Sequence, residues 1–401
     1  MPVLILMRDD TKSALTAEAE ANELASLEIE LNAMDLEAQA AKLHPGKTKP
    51  LGRIDARSLA MGGMNVHVPI DFEDGTKWLA RIRQKRFDSP PPAISRTIME
   101  REICTMQALK RAGVAVPAVR VPQDTGSPAN FFFLDFTQGR MCGAPFTSDY
   151  LTPEQMRARI TSYAKTSAQI ANVSFTGIGS LQPSKDGEPT VGPLISLDFC
   201  SSAYPHFLGP FRTNRERYTA LIDATLDQLR DGEGIRKGSE GMYYTHLWLR
   251  DLVQGIEELD REEPTYIKHA DDKGDQVLVN DEQEVMGIID WEWAYTAPKA
   301  EAFAAPLALV NIDAFFSGSN DPSDEETQLA HAYDALGRVD LGDCVRGGKL
   351  YQRLDQCLGR QPDLVMLQAL GELLSGKKGH EGDLKEWVGR LKARYGTGWA
   401  G

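Results

Sequence analysis

The sequence has few cysteines, no long hydrophobic run and no excess of basic residues. Its five cysteines are far apart and form no C-x-x-C pair, which disfavours a disulfide framework or a thiolate zinc site and is typical of a reducing cytoplasm. No apolar stretch approaches a membrane span, and the apolar opening residues lack a basic flank, so we expect neither membrane association nor a signal peptide. A formal net charge of -14 argues against a nucleic-acid binder.

The remaining composition is typical of a globular protein. The chain has 401 residues, of which 42% are hydrophobic and 25% are charged. This is enough material for two or three domains with a sizeable core, and it excludes a fibrous or wholly disordered chain.

Residues 11–44 predict one long helix, because they are rich in Ala, Leu and Glu and contain no Gly or Pro. An apolar seam at steps of three and four is predicted along it, formed by Leu24, Leu27, Leu31, Met34, Ala38 and Ala41. We favour docking of this seam on the helix's own domain and keep self-association through it as the alternative.

The pattern then changes to the period of a β-strand. Apolar residues alternate from Val66 to Phe72 and again from Trp78 to Ile82, with Asp74-Gly75 between them, which predicts a hairpin. A helix ending near Gly113 and a buried strand at residues 131–136 follow.

Beyond Gly139 the chain is predicted to be mainly helical. Thr152 with Gln155 forms a capping box, and Thr213 marks a second helix start. Two short apolar runs, residues 277–279 and 285–289, flank a polar turn and predict a second hairpin.

Charge is distributed unevenly along the chain. The segment from Trp78 to Arg120 has a net charge of +6, whereas the segment from Gly255 to Glu292 has a net charge of -10. A basic segment and an acidic segment are what a site for a metal-chelated polyphosphate needs, because the phosphates attract cations and the metal attracts carboxylates.

The acidic segment contains the most informative motif. The sequence His269-Ala270-Asp271 precedes the second predicted hairpin, and Ile289-Asp290-Trp291-Glu292 follows it. Because a hairpin returns its ends to one place, we expect Asp271 and Asp290 to lie close together. Phosphoryl transfer uses such a pair, since one carboxylate accepts the proton of the attacking hydroxyl and another holds magnesium.

These residues resemble the aminoglycoside phosphotransferase and choline kinase-like family, whose members have the protein-kinase fold. The family pattern is H-G-D-x-x-x-x-N followed by I-D-W-E, and this chain matches it except for Ala270 and Gln276. The resemblance implies that ATP and Mg²⁺ are cofactors, that Asp271 is the catalytic base and that Asp290 binds magnesium.

Other parts of the family pattern follow in order over residues 55–310. Gly62, Gly63 and Asn65 resemble the phosphate loop. Arg81 stands where kinases carry the phosphate-binding Lys, with Arg83 as the alternative, and Glu102 stands where a helix carboxylate holds that base. The adenine hinge is expected at Leu134, Asp135 and Phe136.

Two positions near Asp271 differ from the common pattern. Gln276 stands in place of the magnesium-binding Asn, and Asp275 beside it is a possible substitute ligand. Lys273 lies where protein kinases carry a Lys that contacts the transferred phosphate. The resemblance thus implies catalytic roles for Asp271 and Lys273 and metal-binding roles for Asp290, Gln276 and Asp275.

The sequence therefore predicts an α+β, two-lobed, protein-kinase-like fold. Its expected parts are a helical extension (1–50), a nucleotide-binding lobe with an antiparallel sheet (51–136) and a helical lobe (137–401). The predicted function is ATP- and magnesium-dependent phosphorylation of a hydroxyl of a small molecule in the cytoplasm, and the family resemblance favours a cationic acceptor. We expect the substrate near Glu292, Trp293 and the aromatic residues of 200–250. The alternatives are a pseudokinase that binds nucleotide without transfer and a pure interaction protein.

Overall fold

The computed structural model describes residues 34–51, 60–61, 64–84, 90–122, 131–195, 206–230, 239–359, 362–376, 383–396 and 399. Its internal contacts divide the chain into two compact units. The first unit comprises Met1–Arg86 and Ala118–Phe136, and the second comprises Phe87–Pro117 and Thr137–Gly401.

The first unit is built on one antiparallel sheet. Its strands are β1 (Ala60–Met61), β2 (Asn65–Asp71), β3 (Lys77–Arg83), β4 (Val119–Arg120) and β5 (Phe131–Asp135). They are hydrogen-bonded in the order β1-β2-β3-β5-β4, and every neighbouring pair is antiparallel.

The hairpin of β2 and β3 forms where the alternating pattern predicts it. Gly75 in the turn has a φ of 85°, a left-handed value that glycine adopts without a steric penalty. Trp78 is almost fully buried and contacts the rings of Phe72 and Phe133, at centroid distances of 4.8 and 5.8 Å. The apolar face of this hairpin therefore forms the core of the first unit.

The N-terminal helix, described from residue 34 onward, buries a different face from the predicted one. Asp35 has a φ of 47°, and helix α1 (Leu36–Leu43) starts directly after it. Leu36 and Ala40 are fully buried against the sheet, whereas Ala38 and Ala41 are only partly buried. Met34 of the seam packs against the same core, but beyond Asp35 the seam prediction is wrong, because the left-handed residue resets the phase of the helix.

Helix α1 nevertheless packs on its own unit, as the favoured interpretation expected. His44 at its end lies 4.4 Å from the ring of Phe72 and places Nε2 3.4 Å from an oxygen of Asp74. Leu24, Leu27 and Leu31 of the seam lie outside the described residues, and self-association remains a prediction.

The second unit is mainly helical. Its helices are α2 (Pro92–Arg111), α3 (Pro153–Ile170), α4 (Asn214–Arg230), α5 (Ser239–Gln254), α6 (Lys299–Ala302), α7 (Ile312–Phe316), α8 (Asp324–Ala335), α9 (Val339–Arg346), α10 (Lys349–Cys357), α11 (Leu364–Ser375) and α12 (Leu384–Tyr395). Its strands are β6 (Arg140–Met141), β7 (Leu181–Pro183), β8 (Pro189–Val191), β9 (Thr265–Lys268), β10 (Val277–Val279), β11 (Val285–Ile288) and β12 (Tyr295–Pro298). They form the antiparallel sheet β11-β10-β6 and the pairs β12-β9 and β7-β8.

The helix starts follow the predicted capping residues. Thr152 Oγ1 accepts from the Gln155 N–H at 3.3 Å, and the Gln155 side chain accepts from the Thr152 N–H at 3.0 Å. This confirms the capping box of α3. At α4, Thr213 Oγ1 accepts from the Glu216 N–H at 3.2 Å, whereas the Glu216 carboxylate accepts from the Arg212 N–H at 2.8 Å.

Helices α4, α5, α10 and α11 share one large apolar core. Tyr243 and Tyr244 belong to this core, and His246 beside them is fully buried. The expectation that these three side chains border a substrate is wrong, because this part of α5 faces the interior of the helical bundle.

The predicted α+β class is confirmed, with an antiparallel sheet in the N-terminal part and helices in the C-terminal part. The contacts place α2 with the helical unit, whereas the predicted boundary put it with the sheet; the predicted division into 1–50, 51–136 and 137–401 remains a prediction. Within the described residues, no helix combines the length and hydrophobicity needed to cross a bilayer.

Candidate active site

His269 connects the two halves of the predicted catalytic motif. Its Nδ1 accepts a hydrogen bond from the Asp271 N–H at 3.3 Å, and its Nε2 lies 2.9 Å from the carbonyl oxygen of Ile289. Because Nδ1 is an acceptor, the neutral ring carries its proton on Nε2 and donates it to Ile289. The imidazole therefore fixes the backbone next to both Asp271 and Asp290.

Asp271 and Lys273 form a charged centre in the loop after β9. The Lys273 ammonium donates to both oxygens of Asp271, at 3.0 and 2.8 Å, and lies 3.2 Å from Asp275. Burial lowers the pKa of Lys273, but hydrogen bonds and charges from Asp271 and Asp275 outweigh burial and raise the pKa overall. Lys273 thus stays protonated at neutral pH.

Both side chains of this charged centre are accessible from outside the protein. The Lys273 side chain is 48% exposed and the Asp271 side chain is 36% exposed. A reactant can therefore reach both the Asp271 carboxylate and the Lys273 ammonium group.

The second predicted hairpin is confirmed and leads directly into Asp290. Val277 of β10 pairs with Ile288 of β11, and the Ile289 N–H donates to the Gln276 carbonyl at 2.9 Å. Asp290 follows with a φ of 66°. A non-glycine residue in this region stores on the order of 1–3 kcal/mol of strain, which proteins retain mainly at functional sites. The backbone thus supports Asp290 as a candidate site residue.

The carboxylates present suit a magnesium ion that arrives with a nucleotide. Magnesium prefers oxygen ligands, and it commonly takes one or two carboxylates together with substrate phosphates. Asp290 and Asp275 supply such oxygens on either side of the hairpin. Among the described residues, no group of three or more His, Cys, Asp or Glu is arranged to hold a metal ion by itself, so phosphate ligands would have to complete the site.

Gln276 is only 4% exposed, and its Oε1 accepts from the Gly274 N–H at 3.0 Å. The predicted metal-binding oxygen is therefore already used within the loop. Beside it lies a cavity of about 40 Å³, lined in part by Tyr163, His269, Asp272 and Tyr333.

Asp272 anchors the loop, a role that the sequence motif does not assign to it. Its Oδ1 accepts from the Leu307 N–H at 3.2 Å, and its carbonyl accepts from the Ala308 N–H at 3.0 Å. The only signal in the sequence is its position beside Asp271, because no local pattern predicts bonds to residues this far along the chain.

The predicted phosphate-binding residues of the first unit lie on β2 and β3. Arg81 is buried and has Nη1 3.2 Å from His67 Nε2, while Arg83 two residues on donates to Met64 Sδ at 3.4 Å. Asn65 is buried at the start of β2. Arg81 and Arg83 alternate with Ala80 and Ile82 of the core, so they share the opposite strand face and the choice between them stays open. Gly62 and Gly63 lie outside the described residues.

The predicted hinge residues use their backbone donors inside the first unit. The Asp135 N–H donates to Ala118 and the Phe136 N–H to Lys77, both at 3.0 Å. The Asp135 carboxylate is paired with Arg120, and Leu134 is buried in the sheet. A nucleotide base bound here would need donors other than the N–H groups of Asp135 and Phe136.

Glu102 lies buried on α2, within the second unit. Its neighbour Arg101 is also buried and donates to the Ser180 carbonyl at 2.9 Å, which ties α2 to the start of β7. The pairing of Glu102 with Arg81 would join residues of the two units and remains a prediction.

Comparison with known structures gives distant similarities. A macrolide 2'-phosphotransferase type I is 19% identical, with a TM-score of 0.46 over 92% of this chain and 97% of that one. A gentamicin complex of an aminoglycoside phosphotransferase, APH(2")-IIa, is 13% identical, with a TM-score of 0.46 over 80% and 90%. An ethanolamine kinase of Plasmodium vivax is 14% identical, with a TM-score of 0.45 over 90% and 87%.

A search of curated proteins found no match. A family model does match: the model described as "Phosphotransferase enzyme family" covers residues 71–314, more than half of the chain. The matched region contains β3, α2, the loop after β9 and Asp290. It confirms the resemblance and the protein-kinase-like fold class, and nothing in it supports the pseudokinase alternative. This chain belongs to the phosphotransferase enzyme family.

Proposed function

We propose that this protein transfers the γ-phosphoryl group of ATP to a hydroxyl of a small molecule, with magnesium as cofactor. The observation that carries the proposal is the bonding of His269, which joins the backbone at Asp271 to the residue before Asp290. Membership of the phosphotransferase family supports the reaction class.

Asp271 is the group proposed to act on the acceptor. Its carboxylate orients the hydroxyl and accepts its proton while the hydroxyl oxygen bonds to the γ-phosphorus and the bond to the ADP oxygen breaks. Lys273, which donates a hydrogen bond to Asp271, would turn to the phosphoryl oxygens and neutralise the charge that moves with them.

The remaining predicted residues are proposed to hold the nucleotide. A magnesium ion bound by Asp290, with Asp275, would neutralise charge on the phosphates when present. From the family resemblance, Arg81 braced by Glu102 would bind phosphate. The phosphate loop would be formed by Gly62, Gly63 and Asn65, and the adenine hinge by Leu134, Asp135 and Phe136.

The acidic character of the catalytic segment supports a cationic acceptor. Residues 255–292 carry a net charge of -10, and most of their acidic side chains are exposed, whereas Glu292 is buried. A cationic small molecule would be attracted to such a surface, and its binding would weaken as salt is added. The cysteine usage supports a cytoplasmic location.

The experiment is incubation with terminally labelled ATP, magnesium and metabolite extracts fractionated by charge. We expect a labelled product from a cationic fraction and none with Asp271→Asn. The absence of label transfer to any fraction, with an intact and folded protein, would contradict the proposal.

A further inference from the structure

We propose that Gln276 positions the catalytic loop and is not a magnesium ligand. The catalytic consequence of this role rests on the proposed function, but the role itself concerns the backbone of the loop. The proposal is based on the hydrogen bonds that the buried Gln276 amide makes with its neighbours.

Gln276 holds the loop and the hairpin together through two oxygen atoms. Its side-chain Oε1 accepts from the Gly274 N–H at 3.0 Å, and its backbone carbonyl accepts from the Ile289 N–H at 2.9 Å. One residue therefore joins the turn after Lys273 to the residue that precedes Asp290.

The turn at Gly274 needs this support because it is tightly packed. Gly274 is buried with a φ of 128°, and a Cβ at this position would overlap the carbonyl oxygen of Gly143. Water has little access to a backbone N–H in such a place, so the N–H needs an acceptor from the protein. The Gln276 side chain supplies it.

The orientation of the amide follows from the same bond. A rotation by 180° would place the NH₂ group of Gln276 against the N–H of Gly274, so that two donors would face each other and a buried donor would lose its acceptor. Oε1 is therefore used by the hydrogen bond from Gly274, and Nε2 is the side-chain polar atom left to meet a metal ion.

Nε2 is a hydrogen-bond donor and does not bind a cation. It has no hydrogen-bond partner among the described residues, and its side chain lines the cavity of about 40 Å³ beneath the loop together with Asp272. A cavity of this size has room for a water molecule that could accept from Nε2. The polar surroundings of Gln276 thus suit a structural amide better than a metal ligand.

The first measurement is hydrogen exchange at the Gly274 amide of the full chain without ligand, in wild type, Gln276→Leu and Asp275→Asn. We expect exchange about tenfold or more faster in Gln276→Leu, as loss of a net contribution near 1.4 kcal/mol implies, and unchanged exchange in Asp275→Asn. Unchanged exchange in Gln276→Leu would overturn the proposal. This measurement needs no nucleotide, so its result tests the role of Gln276 even if the protein is not a kinase.

The second measurement is the magnesium concentration that half-saturates binding of an ATP analogue. We expect Gln276→Leu to stay within twofold of wild type while its turnover falls, and Asp290→Asn to need at least tenfold more magnesium. A Gln276→Leu requirement that rises as far as that of Asp290→Asn would overturn the proposal.

Gln276→Glu serves where Gln276→Leu does not fold. It keeps an oxygen acceptor for Gly274 and adds a negative charge. We expect slow Gly274 exchange and a magnesium requirement within twofold of wild type. A requirement lowered by tenfold or more would show that position 276 meets the metal and would overturn the proposal.

Discussion

The sequence predicted two hairpins, and the structure uses them differently. β2 and β3 have seven residues each and bury one apolar face around Trp78. β10 and β11 have three and four residues, and their ends are held by bonds from His269 and Gln276. The long hairpin thus stabilises its unit by burial, whereas the short hairpin fixes the positions of charged side chains.

The largest expected effect belongs to the short hairpin. Asp271→Asn removes the proposed proton acceptor, so kcat should fall by about 10³-fold while nucleotide affinity stays the same. Label transfer and calorimetric titration with ADP measure the two quantities. Asp281→Asn in the exposed turn of the same hairpin is the matched control and should keep full activity. Equal turnover of Asp271→Asn and wild type would show that the short hairpin does not position the proton acceptor of the reaction.

The long hairpin should respond in stability. Trp78→Ala removes a buried ring that contacts Phe72 and Phe133, so the free energy of unfolding should fall by about 3–5 kcal/mol. Urea unfolding of the first unit measures it. Met286→Ala on β11, where the side chain is half-exposed, should change stability by less than about 0.5 kcal/mol. A similar loss of unfolding free energy in both variants would show that the long hairpin does not stabilise the protein more than the short one.

The helical core, which lies outside both hairpins, contributes a stability that should depend on pH through His246. Burial lowers the pKa of His246 from 6.5 to about 4, against a hydrogen bond to Met242 that raises it. Between these values the unfolded state binds more protons, so stability present above pH 6.5 is lost as pH falls to about 4.

His246 should therefore make wild type lose about 3 kcal/mol more than His246→Gln between pH 7 and pH 4. Urea unfolding at both pH values measures this difference. His331→Gln, at an exposed position of α8, should behave like wild type. Equal losses in wild type and His246→Gln would show that His246 accepts a proton in the folded core.

The smallest expected effect concerns the connection between the two ends of the short hairpin. His269→Ala removes the bond to Ile289 and the acceptor for the Asp271 N–H, so kcat should fall about tenfold through loss of alignment. KM for ATP should change less than kcat. An unchanged kcat in steady-state assays would show that other contacts position Asp271.

Local patterns were sufficient to predict much of the fold. Alternation located the long hairpin, two short apolar runs around a polar turn located the short one, and Thr152 with Gln155 located the start of α3. Each of these features depends on residues that are near in sequence. The buried face of α1 was predicted wrongly, because nothing in the periodicity reveals the left-handed backbone of Asp35.

The candidate site was predictable in its residues but not in its bonds. The motif identified Asp271 and Asp290, whereas the contacts of Asp272 with Leu307 and of Arg101 with Ser180 join residues far apart in sequence. The commitment of the Gln276 oxygen to Gly274 depends on a backbone conformation that the residue types alone do not specify.

The most direct measurement of the central claim is a crystal structure with magnesium and a non-hydrolysable ATP analogue. We predict a magnesium ion about 2.1 Å from an Asp290 oxygen, bound to the phosphates, with Asp271 facing the terminal phosphate and Lys273 turned toward it. A nucleotide bound away from Asp271, or a metal ion that Asp290 does not contact, would contradict the account.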